Sequence, residues 1–388
     1  MSKYNILDCM EVVGSSPETF DDEKVYVSTG AVNINKIDYS QTELVAYNNR
    51  PSRANLVAQI EDILFAKMFG TKKVLMLDKT TSHNIYSTGF FAVRANEKII
   101  TPKCLYYLIS SESFLEQKDK NCSGATQKAI TNTGLKKIFV NIPNLEEQEK
   151  ITKKFDVIDK LISMRQQQLL KLDELVKSRF IEMFGDPNIN PYHWNILQLG
   201  KCIKSIDNGK SFVCNNNPRI GNAPAILKLS AVTYGVYKPE ENKAIIDSDD
   251  FVKSAEVQNE DLLFTRKNTP DLVGMSSYVF STPEKLMMPD LIFRINTKEI
   301  CNKVFLWQFI NHDSFRKHIQ NIATGSAKSM SNISKERLMK LQIALPPIEL
   351  QNKFANFVKQ VDKSKLAIEK NIEKLEILKK SLMQKYFG

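Results

Sequence analysis

Ile142-Pro143-Asn144-Leu145-Glu146-Glu147-Gln148 and Leu345-Pro346-Pro347-Ile348-Glu349-Leu350-Gln351 are two versions of one segment, the second displaced by 203 residues. Self-similarity at that distance marks an architecture built from copies. Downstream the displacement holds without insertion, so that Met183-Phe184-Gly185 falls on Tyr386-Phe387-Gly388. Upstream it drifts: Leu105 to Ile109 matches Leu306 to Ile310 at 201, and Asp62 to Lys67 matches Asp261 to Arg266 at 199. Each copy therefore has a variable forward section and a tail of fixed length.

The tails show why their length is fixed. In the first, Ile151, Phe155, Ile158, Ile162, Arg165, Leu169, Leu172, Val176, Arg179 and Met183 alternate spacings of four and three, the seam of a coiled coil. The second repeats it with Phe354, Val358, Val361, Lys365, Ile368, Ile372, Leu375, Lys379, Leu382 and Tyr386. Prolines and then glutamates stand where helices begin, and Gly185 and Gly388 stand where they end, Asp186-Pro187 terminating the first. A helix of roughly 37 residues is on the order of 55 Å long, more than a domain is wide, so each must bury its stripe against something outside its own domain. The other helix is the natural partner. The first leads the chain from one domain to the next and the second has to run back, which predicts an antiparallel pair with a pseudo-two-fold axis. Cations at Arg165, Arg179, Lys365 and Lys379 interrupt the seam, either as long side chains reaching solvent or as penalties on wrong register.

The forward sections mix β-branched and aromatic runs with turn residues. Val25 to Val32, Asp62 to Lys67, Gly89 to Arg94, Ala225 to Val232, Asp261 to Arg266 and Leu291 to Ile295 read as strands, and Pro102 to Gln117 and Ile300 to Ile319 as helices. The expected fold class is mixed α+β: two α/β domains in tandem (1–142 and 186–345) separated by spacer helices (143–185 and 346–388). In both copies the acidic-apolar strand ends in a cation, Lys67 in one and Arg266 with Lys267 in the other. A small-residue loop follows later, carrying Thr126, Gln127 and Lys128 or Ser326 and Lys328. Such loops let backbone approach a phosphate while hydroxyl, amide and ammonium groups supply donors, although an ordinary surface turn has the same composition. These residues, with Lys210, are the candidate DNA contacts.

The chain has 388 residues and a formal net charge of +10. That balance favours a polyanionic partner and fits equally a merely basic soluble protein. Six cysteines (Cys9, Cys104, Cys122, Cys202, Cys214, Cys301) and four histidines (His83, His193, His312, His318) show no metal-ligand spacing, and reduced thiols in a cytoplasm are expected. No apolar run is long enough for a signal peptide or a membrane span. Gly209-Lys210-Ser211 imitates the end of a P-loop, but Lys204 stands at the required earlier glycine. Asn190-Pro191-Tyr192 lacks the second proline of an adenine methyltransferase site and reads as a linker. No catalytic motif is found, and no cofactor is expected on this chain.

Two globular sections alternating with two similar long helices resemble the specificity subunit of type I restriction-modification systems. The resemblance is carried by the paired proline segments with Gln148 and Gln351, both seams, the Phe-Gly ends, and Gly185-Asp186-Pro187 leading to Trp194 and Leu199-Gly200. It implies two target-recognition domains that each read half of a split DNA sequence. It also implies a helical spacer that docks two methyltransferase subunits, which would carry S-adenosylmethionine, and restriction subunits joined to the complex. One departure stands out: Asp186 to Phe212 has no evident counterpart in the first copy. Two rival readings remain, a coiled-coil scaffold whose domains bind protein and a stand-alone DNA-modifying enzyme. Salt-dependent retention on DNA separates the first, and activity without added subunits the second.

Overall fold

The computed structural model describes residues 2–325 and 330–388. The chain divides into two compact units, one running to Gln166 and including Lys370–Gly388, the other Gln167–Glu369. Each unit joins a globular section to one half of each long helix.

In the first unit, Ser2–Asn5 pairs antiparallel with Phe139–Ile142, Ser2 opposite Ile142. A four-stranded antiparallel sheet follows in the order Met10–Val13, Phe90–Ala95, Ile63–Ala66, Val74–Met76. Side chains alternate along these strands, and here both faces are covered. Ile63, Phe65, Phe91 and Val93 enter a core with the helices Pro102–Ser110 and Glu112–Lys120, while Leu64, Ala66, Phe90 and Ala92 enter another with Val27 and Tyr86. The second core is closed by a sheet ordered Glu43–Val45, Lys24–Val27, Ile85–Ser87, Ala54–Leu56, whose central pair is parallel.

The second unit repeats this plan. Asn195–Gln198 pairs with Gln342–Leu345, and the main sheet runs Ile203–Asn208, Ile292–Thr297, Leu262–Thr265, Ser276–Tyr278. Leu262, Phe264, Phe293 and Ile295 face one core, Leu263 and Ile292 the other. Covering the latter is a smaller sheet with a parallel pair, Ala225–Leu227 and Leu286–Met287.

Three sequence expectations change. The expected single helix of each domain is broken. Ser111 is extended, its hydroxyl donating to the Leu108 carbonyl and accepting from the Phe114 N–H, so it ends one helix and caps the next. His312 does likewise between Lys303–Asn311 and Asp313–Phe315. The run Val25 to Val32 is strand as far as Val27 and again at Val32, which opens the short strand Val32–Asn33, and the run Ala225 to Val232 is strand as far as Leu227 and gives way to a helical turn at Ser230–Thr233. Thirdly, most of the segment that lacked a counterpart has one. Ile6 N–H donates to the Ile138 carbonyl and Leu199 N–H to Leu341, so Ser2–Val13 occupies the place of Asn195–Asn208, with buried Cys9 and Cys202 in matching positions. Short β-strands flanking a single helical turn have too little periodicity for alignment by eye.

The long helices are Leu145–Phe184 and Ile348–Phe387. Ile151, Phe155, Ile158, Val176, Phe354, Val358, Val361 and Ile368 are buried, Ile162, Leu169, Leu172, Ile372, Leu375 and Leu382 half-buried, and no seam position is exposed. Within the first unit Phe155 meets Tyr386 and Phe387, and Asp159 accepts from Lys379 at 2.5 Å. Within the second, Asp173 pairs with Lys365, and Phe180 and Phe184 pack on Phe354. Rising positions of one helix meet falling positions of the other in both units, which makes the pair antiparallel. Lys365 and Lys379 thus carry ion pairs across the helices, whereas Arg179 pairs with Glu182 along its own helix.

A duplicated glutamine fixes each helix to its domain. Gln148, fully buried, accepts from Thr101 N–H at 2.8 Å and donates to the carbonyls of Ile99 and Pro143 at 2.8 and 2.9 Å. Gln351 does the same with Asn302 N–H, Ile300 and Pro346 at 2.8, 3.2 and 2.7 Å. The first helix ends at Gly185, whose φ of +78° and contact with the Pro191 ring admit no β-carbon. Tyr192 Oη and Trp194 Nε1 donate to the last carbonyls at Glu182 and Phe184, so the linker around Asn190 caps the helix.

Candidate nucleic-acid interface

The acidic-apolar strand has opposite roles at its two ends. At its start, buried Asp62 accepts from Gln59 N–H and, bidentately, from Arg94 at 2.7 and 3.0 Å. Asp261 likewise accepts from Gln258 N–H at 2.8 Å and forms an ion pair with Arg294 at 2.9 Å, although burial still raises its carboxyl above the ordinary value. These acids are spent within the fold. The cation at the far end is held differently.

Lys67 Nζ lies 4.5 Å from the centre of the Phe91 ring and donates to the Thr88 carbonyl at 2.9 Å, and burial of its stem lowers its pKa. Arg266 lies 5.0 Å from the Phe293 ring and 3.4 Å from Asn332 Oδ1. Phe91 faces Phe65, and Phe293 faces Phe264, in matching registers of the two main sheets. A cation laid over an aromatic ring at a strand end is therefore a duplicated device.

The small-residue loops arrive at the same place. Ile130 N–H donates to the Lys67 carbonyl and Phe69 N–H to Lys128, while Ser123 and Ala129 exchange backbone hydrogen bonds across the loop mouth, all at 2.9 Å. In the second unit Ile333 N–H donates to the Arg266 carbonyl at 2.8 Å, Lys267 pairs with Asn332, and Thr324 and Asn332 close the mouth. Two features read separately in the sequence, the strand-end cation and the later loop, are one structural unit. Gly124 and Gly325 open the loops with φ of +129° and +145°, and a β-carbon on Gly124 would stand 2.4 Å from the Gln127 carbonyl oxygen.

Thr126, Gln127 and Lys128 are exposed; Lys267 is half-buried. Ser326 and Lys328 lie outside the described residues. Exposed Lys210 follows Ile203–Asn208, its N–H donating to the Met288 carbonyl, while Gly209 N–H donates to Ile292 and Arg266 N–H to Leu291. Lys210, Arg266 and Lys267 thus share one end of the sheet. Sequence reading missed three neighbours. Exposed Arg53 is tied through its carbonyl to Thr88 N–H, beside Lys67. Lys335 sits 5.6 Å from the Phe293 ring and donates to the Ile206 carbonyl, a second cation on that ring. Phe69 stands 55% exposed at the turn beside Lys128. None is repeated as a residue type: Lys335 stands where the first copy has Asn132, Phe69 where the second has Asn268, and Arg53, whose carbonyl accepts from Thr88 N–H, where Ala255 accepts from Met288 N–H. Internal comparison could not find them.

Among the described residues no cluster of His, Cys, Asp and Glu could hold a metal ion, and no helix is long and apolar enough to cross a membrane. What the described residues offer is a strand-end cation beside a strapped loop in each unit, with the hydroxyl, amide and ammonium of exposed Thr126, Gln127 and Lys128 added in the first. That suits phosphate neutralisation and base-edge hydrogen bonding.

Comparison with known proteins gives the same direction. The chain is similar over 223 residues, at 29% identity, to the type I restriction enzyme EcoEI specificity subunit of Escherichia coli; the match covers 56% of this chain and 36% of that protein. It is 22% identical to the EcoKI specificity subunit of Escherichia coli K12 over 92% of this chain and 80% of the relative. The putative MjaX specificity subunit of Methanocaldococcus jannaschii is 24% identical over 90% and 82%. In fold it resembles the S subunit of a type I restriction-modification system from M. genitalium, with a TM-score of 0.55 at 14% identity over 100% of this chain and 96% of the other. It resembles equally, at 0.55 and 18% identity over 97% of both chains, a chain from a study of complex assembly in the type I R-M system. The family described as the type I restriction modification DNA specificity domain matches residues 16–174 and again 191–377. Matched twice and over most of its length, this chain belongs to the type I restriction modification DNA specificity domain family.

Proposed function

We propose that the chain is the non-catalytic, DNA-recognising subunit of a type I restriction-modification complex. Each unit reads one short half of a bipartite target at the sheet end that carries its cationic loop. The paired helices separate the readers, so the bases between the half-sites are spanned and not read, as helical spacing sets half-sites in dimeric readers. The observation that carries this reading is the duplicated rim: cation over ring, strapped glycine-led loop and cationic strand end in the same register of both main sheets.

Methyltransferase subunits, two in number and carrying S-adenosylmethionine, would dock on the helices, with restriction subunits added to the complex. Support comes from a second apolar stripe outside the seam. Val157, Leu161 and Met164 are 58, 39 and 55% exposed at helical spacing. Leu170, Leu175 and Ile181 continue exposed apolar surface on the same helix. Large aliphatic side chains left in water on a helix face suit a protein partner.

Retention of the purified chain on duplex DNA tests the reading. Binding should fall linearly on a log–log plot against salt, the slope reporting the phosphates contacted. Salt-independent binding, or none, would favour a protein scaffold instead. Modification of DNA by the isolated chain would favour an enzyme.

A further inference from the structure

We propose that Phe69 is a wedge side chain, inserted against a base step of the half-site read by the first unit. The inference rests on the DNA-binding reading above and deepens it.

The turn between Ile63–Ala66 and Val74–Met76 is held from beneath. Met68 and Thr71 carbonyls both accept from Lys118 Nζ, at 2.9 and 3.0 Å, and Gly70 N–H donates to Asp119 Oδ1 at 3.1 Å. Phe69 N–H is tied to the Lys128 carbonyl of the cationic loop at 2.9 Å. Lys118 is completely buried, its ammonium 2.9 Å from Asp119. Burying an ammonium is costly unless it is paired and hydrogen-bonded. Here the pairing and both carbonyl contacts serve to fix a surface turn.

What the fixed turn presents is apolar: Met68 is 36% and Phe69 55% exposed. Burial of a phenylalanine is favourable by about 25 cal/mol per Å² of apolar surface removed from water, so folding alone gives no reason to hold this ring outward on a braced turn. Its neighbours in the chain and across the loop are Lys67 and Lys128. An exposed ring on a turn tied by its backbone to the loop of exposed Lys128 matches duplex DNA at a step, where the ring enters the stack and the cation meets a flanking phosphate.

The second unit supports the assignment by contrast. Its corresponding turn, after Arg266 and Lys267, keeps the cation over the ring but exposes Thr269, Pro270 and Asp271 and no aromatic side chain. The cation over the ring is shared while the tip and its brace diverge, Arg316 donating to the Asp271 and Val273 carbonyls where the first unit uses Lys118, as two readers of different half-sites require.

The test uses the full chain with its methyltransferase subunits. The probe is the duplex motif identified by mapping methylated adenines, with 2-aminopurine placed at successive positions through both half-sites. The wild-type complex should raise fluorescence at one step. Phe69→Ala should abolish that rise and bind this duplex about ten- to a hundredfold more weakly, the range expected for loss of an aromatic–base contact, with an unchanged melting temperature. Phe69→Trp should bind within a few fold of wild type. If Phe69→Ala keeps both affinity and fluorescence, the wedge assignment is overturned and DNA reading stands. If the wild-type complex shows no salt-dependent binding to the duplex, the reading beneath it fails.

Discussion

Replacing Gln148 by leucine removes one side chain and orphans three backbone groups. Its amide accepts from Thr101 N–H and donates to Ile99 and Pro143 within a site where Gln148 has no exposure. Leucine is similar in volume, so packing changes little and the loss falls on hydrogen bonding. At about 1 kcal/mol net for each bond the sum is about 3 kcal/mol, a lower figure because a buried unpaired group costs more than the bond it lost. Those contacts tie the first turn of the long helix to the capped start of Pro102–Ser110, so opening there should become easier by roughly a hundredfold, since 1.36 kcal/mol is a factor of ten. A single unfolding curve would not localise the loss within a chain of two units. Hydrogen exchange read by mass spectrometry is suitable, because Thr101 N–H is itself a bonded donor. Peptides covering 99–105 and 143–152 should lose protection, while those around Asn302 and Pro346 keep it; Gln351→Leu should give the mirror result. Undiminished protection at Thr101 in Gln148→Leu would refute the assignment of the clamp.

Lys128→Ala and Arg266→Ala should each weaken binding across DNA sequences and reduce the salt slope by about one if they meet phosphates, or cost about 1–3 kcal/mol at one base pair if they meet an edge; titrations at several salt concentrations distinguish the two. Gly124→Ala should weaken DNA binding and leave the melting temperature nearly unchanged, since the collision with the Gln127 carbonyl is confined to the loop. Asp159→Lys should loosen the helix pair by placing like charges at a seam contact, and Asp159→Lys with Lys379→Asp should recover most of that loss, as a double-mutant cycle on hydrogen exchange would show.

The long helices were legible because a heptad of apolar residues leaves a strong local signal, and every seam position from Ile151 to Tyr386 is at least half withdrawn from solvent. Their direction followed from connectivity. The strands that end just before Lys67 and Arg266 were legible as short apolar runs and from their repetition. The loop around Lys128 was legible as a feature but not as a neighbour of Lys67, because that adjacency is made by backbone hydrogen bonds between residues far apart in sequence. Gln148 and Gln351 were visible as a repeated pair, yet nothing in one dimension shows that each closes three backbone bonds. Asp62 and Asp261 were visible as the repeated acids that open the two runs, but not as internal ion-pair partners of Arg94 and Arg294. Lys335 and Phe69 stayed hidden because their significance comes from the ring and the turn they stand on.

In the proposed function, two DNA readers are kept apart by the helix pair. The most direct measurement inserts one heptad into each long helix at facing positions and maps methylated adenines in cells expressing the complete system. Seven residues add about 10 Å of helix, so the gap between two unchanged half-sites should lengthen, by no more than about three base pairs at 3.4 Å each. A gap of unaltered length, or a single continuous motif in either protein, would contradict the account.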